Sequence, residues 1–243
     1  MNIMLLSLLL AIAPDDFINS IREQDAAKVE SMLAAEPSLV DATNAKGRSV
    51  TTVALFTIVN NESFIPPKKN RVLQVILARK PKLDLWLTAA LGSSTELSKM
   101  LKPELVPTLV NAPNDFGWSP LHLAAFVGNV DNVKLLLDRG ADIRLRAKTK
   151  FHNTPLLIAL LTGHVDTVRL LLDRGADIFD RQAEGTAALH HAALSGDLEM
   201  VKLLLDRGAE LNSREDNGRT PVDEALRGKH EDVAEYLRSK GGK

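Results

Sequence analysis

The 243-residue chain is predicted to fold as an all-α solenoid, a stack of helix-turn-helix units that bury their apolar faces against one another. Two recurring phrases and the composition predict it. The run Leu135-Leu136-Leu137-Asp138-Arg139-Gly140-Ala141 returns as Leu170 to Ala176 and again as Leu203 to Ala209, so Gly140, Gly175 and Gly208 stand 35 and 33 residues apart. A second phrase precedes each copy: Ser119-Pro120-Leu121-His122-Leu123-Ala124-Ala125, then Thr154-Pro155-Leu156-Leu157-Ile158-Ala159, then Ala187-Ala188-Leu189-His190-His191-Ala192-Ala193. A fourth copy opens at Thr220-Pro221-Val222. Hydrophobic residues make up 45% and charged residues 25%, a soluble composition, while aromatics are only 4%, which suits a core built on Leu, Ala and Val. Self-similarity at a fixed period of this length is the mark of a repeat architecture.

Each position in the unit has a physical reason. Ser119 or Thr154 can cap a helix through its hydroxyl, and the following proline suits a first helical position that needs no amide donor. Leu121, Ala124 and Ala125 form the apolar face of a short first helix, and the alanines allow close approach of a neighbour. Gly128, Gly163 and Gly196 end that helix. The second helix carries Val130, Val133 and Leu137 at i, i+3 and i+7, with Leu136 beside them and Leu135 widening the stripe. Gly140 follows as a left-handed cap. One such unit cannot bury its faces alone, so the stack is the fold.

The period and the T-P-L-H-x-A phrase resemble the ankyrin repeat, a β-turn followed by two helices. The resemblance implies an ankyrin-repeat solenoid with short β-turn fingers that binds partner proteins through those fingers and the concave face of the first helices. It also implies that His122 and His190, in the same register, make structural hydrogen bonds within and between repeats.

About seven units are expected in one array after residue 13, at 14–43, 44–82, 83–112, 113–145, 146–180, 181–213 and 214–243, the first three degenerate. Phe17 to Leu33 reads as a helix pair, Lys46-Gly47-Arg48-Ser49 opens the second unit, and Arg71 to Leu77 is that unit's second helix. The polar stretch Asn60 to Asn70, with Pro66-Pro67, is an insertion that loops out and carries Phe64 and Ile65. Glu231, Asp232, Glu235, Arg238 and Lys240 give the last unit the polar outer face of a terminal cap. Ahead of the array, Ile3 to Ala13 is apolar, with the length of a signal-peptide core and an A-x-A at Ala11 and Ala13, yet no Lys or Arg precedes it and Pro14 follows. As a signal it would send the chain to the periplasm or outside; as a hydrophobic N-terminal helix it would leave it cytoplasmic.

The formal charge of −1 gives no global field toward nucleic acid or an anionic membrane, and the absence of cysteine excludes disulfides, thiol catalysis and cysteine-ligated zinc. No H-E-x-x-H, Walker loop, G-x-S-x-G or dinucleotide-binding glycine run is present, so no catalysis, metal or cofactor is expected. His152 and His230 read as isolated and exposed. Asp138, Asp173 and Asp206 recur beside Arg139, Arg174 and Arg207, and a residue repeated every period is structural, because an active site is needed only once.

Partner-binding candidates are the residues that the packing pattern leaves open. They are Phe116, Trp118, Phe126 and Val127 in the fourth unit, Arg146, Lys148, Lys150, Phe151 and Leu161 in the fifth, and Glu184 in the sixth. Trp118 either faces a partner or packs across the neighbouring repeat; Phe126 is expected to face the open groove, so that its truncation costs little stability. The fifth unit has two extra finger residues, and Arg144, Arg146, Lys148 and Lys150 alternate along the approach to it. If extended, that stripe could receive an acidic peptide or, as an alternative function, nucleic acid. A purely structural scaffold is a further alternative. The partner is an unidentified protein, with no membrane span and a monomeric chain expected.

Overall fold

The structure, a computed structural model, describes residues 14–60, 70–149, 151–182 and 185–243. The apolar run ending at Ala13 lies outside the described residues, as does 61–69 of the expected insertion. Among the described residues the regular structure is helical, with isolated β-bridges joining Thr43 to Ser49 and Arg181 to Ala187.

The helices fall into two bodies, the first ending at Asp84 and the second beginning at Leu85. The first holds α1 (Pro14–Arg22), α2 (Ala26–Ala35), a 3-10 turn (Pro37–Asp41), α3 (Val50–Asn60) and α4 (Arg71–Leu77). α1 packs on α3 and α2 on α4, closing a core of Phe17, Ile21, Leu33, Leu55, Leu73 and Ile76. Asp25 caps α2 at the Lys28 amide and Asn70 caps α4 at the Leu73 amide, so orphan amides at both second helices are satisfied. Between the pairs, Asn44 Oδ1 accepts from the Lys46 and Arg48 amides at 2.9 and 3.0 Å. Asn114 does the same for Phe116 and Trp118, both at 3.0 Å, so this weakly patterned half builds the same finger as the clear repeats.

The second body contains α5 (Leu85–Leu91), α6 (Ser94–Met100), the single turn α7 (Val106–Leu109), α8 (Pro120–Val127), α9 (Val130–Asp138), α10 (Pro155–Leu161) and α11 (Val165–Asp173). It continues through α12 (Ala188–Ser195), α13 (Leu198–Asp206), α14 (Pro221–Arg227) and α15 (Glu231–Ser239). First helices stack in the order α5, α8, α10, α12, α14, and second helices in the order α6, α9, α11, α13, α15. Ser119, Thr154 and Thr220 cap the first helices through their hydroxyls, with proline at the first helical position. Ala124, Ala125, Ala192 and Ala193 are buried where these helices approach each other.

Two readings of this unit change. In α9 the buried residues are Asn132, Val133 and Leu136, whereas Val130 is exposed, because it begins the helix and lies outside the packed stripe. Asn132 is tolerated there because its amide donates to the carbonyls of Thr88, Ala89 and Gly92 at 3.0, 3.0 and 2.9 Å. His230 is not isolated: it is half-buried, with its ring seated over Gly196, where an added Cβ would meet Nδ1 at 2.3 Å. His164 sits over Gly128 in the same way, at 2.6 Å. These glycines, at φ +72° and +76°, therefore serve twice, as left-handed helix caps and as seats for the next repeat.

Leu136 has no exposed surface. Leu136→Ala should lower the unfolding free energy by about 2–5 kcal/mol, measured by denaturant titration. A near-neutral result would mean that the α9 register is wrong.

Candidate partner-binding surface

The open surface is defined by subtracting the side chains that hold the repeats together. His122 lies at the fourth–fifth joint with no exposed surface. Its Nδ1 is 2.7 Å from the Ser119 hydroxyl, and its Nε2 donates to the Asn153 carbonyl, one repeat on, at 3.1 Å. Burial pushes its pKa down to about 4, against the smaller upward pull of backbone hydrogen bonds. His190 repeats the bond to Arg219 O at 3.2 Å. Asn153, two residues after Phe151 in the fifth finger, is buried in the joint.

The fifth–sixth joint differs, since Leu157 stands where a histidine would. Here Asp180 accepts from the Thr154 hydroxyl at 2.9 Å and pairs with Arg146. Arg146 also donates to His152 O at 2.9 Å. Arg181 and Arg214 occupy the same register and grip the finger carbonyls Gly185 O and Gly218 O at 2.9 and 2.7 Å. Arg146 is thus a brace repeated in three successive fingers rather than a member of a free basic stripe, which leaves Arg144 and Lys148 as the exposed cations among the described residues of that stretch. Lys150 and Glu184 lie outside the described residues.

The Asp-Arg pairs also work across joints rather than within a repeat. Arg174 meets Asp138 and Arg207 meets Asp173, each at 2.8 Å. Arg139 reaches back to Leu101 O at 2.6 Å, a long-range tie to the preceding helix end. Exposed pairs of this kind contribute about 0–1 kcal/mol each.

The aromatic candidates separate. Phe126, expected to face the groove, is only 3% exposed. Trp118 covers it edge-on, with ring centroids 5.3 Å apart and planes at 78°. Trp118 and Phe116 are half-buried, as is Val127. Phe151 and Leu161 are open, at 54% and 45% exposure. Phe179, absent from the sequence candidates, is the most open large apolar residue among the described residues, at 57%. Its signal was its register, four residues after Gly175, where Asn212 stands four after Gly208.

Among the described residues no group of three or more His, Asp and Glu could hold a metal ion, and no helix is long and apolar enough to cross a membrane. Family models described as ankyrin repeats match residues 85–182, 162–205 and 189–238, together more than half of the sequence. The chain belongs to the ankyrin-repeat family. It is similar to an ankyrin repeat-containing protein of Schizosaccharomyces pombe, 33% identical over 63 residues that make up 26% of this chain and 29% of that protein. The match therefore spans less than a third of the relative's length.

Two outcomes are expected from these contacts. Phe126→Ala should cost about 3–5 kcal/mol in a thermal or denaturant melt, as buried aromatic truncations do, and a loss under 1 kcal/mol would contradict its burial. For His122, the folded pKa of about 4 lies below the unfolded value of 6.5, so the unfolded chain binds more protons between them. Stability is full above pH 6.5 and should fall by up to about 3 kcal/mol on the way to pH 4. His122→Leu should flatten part of that slope; an unchanged slope would mean that this ring does not carry it.

Proposed function

We propose that this chain is a protein-binding module without catalysis of its own, contacting its partner through the finger of the fifth repeat and the far, C-terminal end of α10. Ankyrin repeats are generally protein-interaction modules, which is the class this fold belongs to. The observation that carries the finer reading is the exposure of Phe151 and Leu161, in the one finger lengthened by two residues, while the neighbouring histidines, arginines and Trp118 are used in packing. Exposed aromatic and aliphatic side chains on a rigid support act as interface anchors, and covering one contributes about 1.5–3 kcal/mol. Lys148 and Phe116 stand close by in the adjoining fingers: the Lys148 amide donates to Gly117 O at 2.8 Å, next to Phe116, so these fingers are laid side by side. In this reading they form the polar and half-buried rim, with Val127 at the groove edge, and Trp118 and Phe126 support the surface from below.

The test is quantitative affinity capture from native extract with wild type and a Phe151→Asp/Leu161→Asp variant. The variant should lose at least about tenfold of a captured protein, since two anchors at 1–2 kcal/mol each exceed that factor. Its melting temperature should stay close to wild type, because neither side chain is buried. Equal capture by a folded variant would refute this surface.

A further inference from the structure

A repeat array supplies its own control, because each position can be compared with the same position one period away. At the end of the first repeat, Asp41 Oδ1 accepts from the Lys82 amide at 2.8 Å. At the end of the third, Asn111 Oδ1 accepts from the Asp142 amide at 2.9 Å. At the end of the sixth, Asn212 Oδ1 accepts from the Lys243 amide at 2.8 Å. The register is thus a structural tie from one repeat to the backbone of the next. In the fourth and fifth repeats the same position holds Arg144 and Phe179, neither of which can accept a hydrogen bond. Both point outward: Arg144 is exposed, its guanidinium has no ion pair or hydrogen bond among the described residues, and Phe179 is more than half exposed. The two lie on neighbouring segments, since Arg146, two residues beyond Arg144, pairs with Asp180, the residue after Phe179.

We propose that Arg144 and Phe179 form a recognition edge for an extended acidic peptide, the arginine taking a carboxylate and the ring an adjacent apolar side chain. The inference rests on the protein-binding reading above and names the partner's chemistry. Giving up the same tie at two successive joints leaves Arg144 and Phe179 outside the packing, and a cation beside an aromatic face fits an acid next to an apolar group. Lys148, also exposed, adds a second positive charge on the adjoining finger. Phe179, Ile178, Arg181 and Glu210 line a cleft of about 10 Å³, room for little more than one water, so the ligand lies on the ring rather than entering a pocket. A nucleic-acid strand fits less well. The carboxylates of Asp142 and Asp177 stay at this edge, accepting from the Arg144 and Phe179 amides at 2.9 Å each, and would repel a continuous track of phosphates.

The experiment selects a displayed library of random peptides on the full chain, then measures the selected peptides against an Arg144→Asn/Phe179→Asn variant. Selected peptides should share an acidic residue beside an aliphatic or aromatic one, and the variant should bind them at least about tenfold more weakly. The same variant should melt about 2–4 °C higher, because asparagine restores the tie made by Asn111 and Asn212. A lower melting temperature would overturn the abandoned-tie argument. Peptides without the acidic–apolar pair, or no binder at all, would overturn the recognition edge. Peptides lost by the Phe151→Asp/Leu161→Asp variant but kept by Arg144→Asn/Phe179→Asn would dismiss this edge and leave the protein-binding reading standing; peptides kept by both would sink both. Labelled oligouridylate, bound by wild type and released by the asparagine variant, would reassign the edge to nucleic acid.

Discussion

The stack exists because side chains of one repeat reach backbone groups of the next. Two short helices and a turn bury too little apolar surface to stand alone, so the bonds between units set both the register and the spacing. His122 on Asn153 O, His164 on Phe126 O, Asn132 on the carbonyls closing α5, and Asn111 on the Asp142 amide are variants of one device. In each, a side chain meets a backbone group of the neighbouring repeat, and at His122 and Asn132, which have no exposed surface, the bond offsets the cost of burying a polar group. The alanine pairs and the left-handed glycines follow from it, since the bonds form only if helices and rings come this close.

That device explains what the sequence disclosed. The cap-proline phrase, the alanine pair and the glycine period identify the helices, their ends and the family, because each is imposed by local backbone chemistry and repeats. The reading of α9 failed in one detail for the same reason. Helical spacing cannot distinguish a first-turn Val130 that protrudes from an Asn132 that is buried, because the difference lies in carbonyls supplied by residues 88–92.

The surface was harder to read. Phe126 looked open from its place after the alanines, but its exposure depends on where Trp118 sits, and that is fixed by the finger built on Asn114. Arg146 looked like part of a basic stripe, although Arg181 and Arg214 recur at its register and could have marked it as structural. Phe179 was missed because a single aromatic in a loop carries no motif. It becomes conspicuous only beside the tie that Asn212 makes one repeat later.

The joints of the second body are not equivalent. The sixth–seventh joint combines a buried imidazole with an asparagine tie, while the fifth–sixth joint has Leu157 in place of the histidine and Phe179 in place of the asparagine. What remains there includes the ion pair of Arg207 with Asp173 at the protein surface, which salt weakens. In a quasi-one-dimensional fold, opening begins where the nearest-neighbour coupling is smallest. The fourth–fifth joint has given up the asparagine tie as well, at Arg144, and a ligand laid across Arg144 and Phe179, as proposed above, would act as a splint over that joint, so that occupancy and the stiffness of the solenoid rise together.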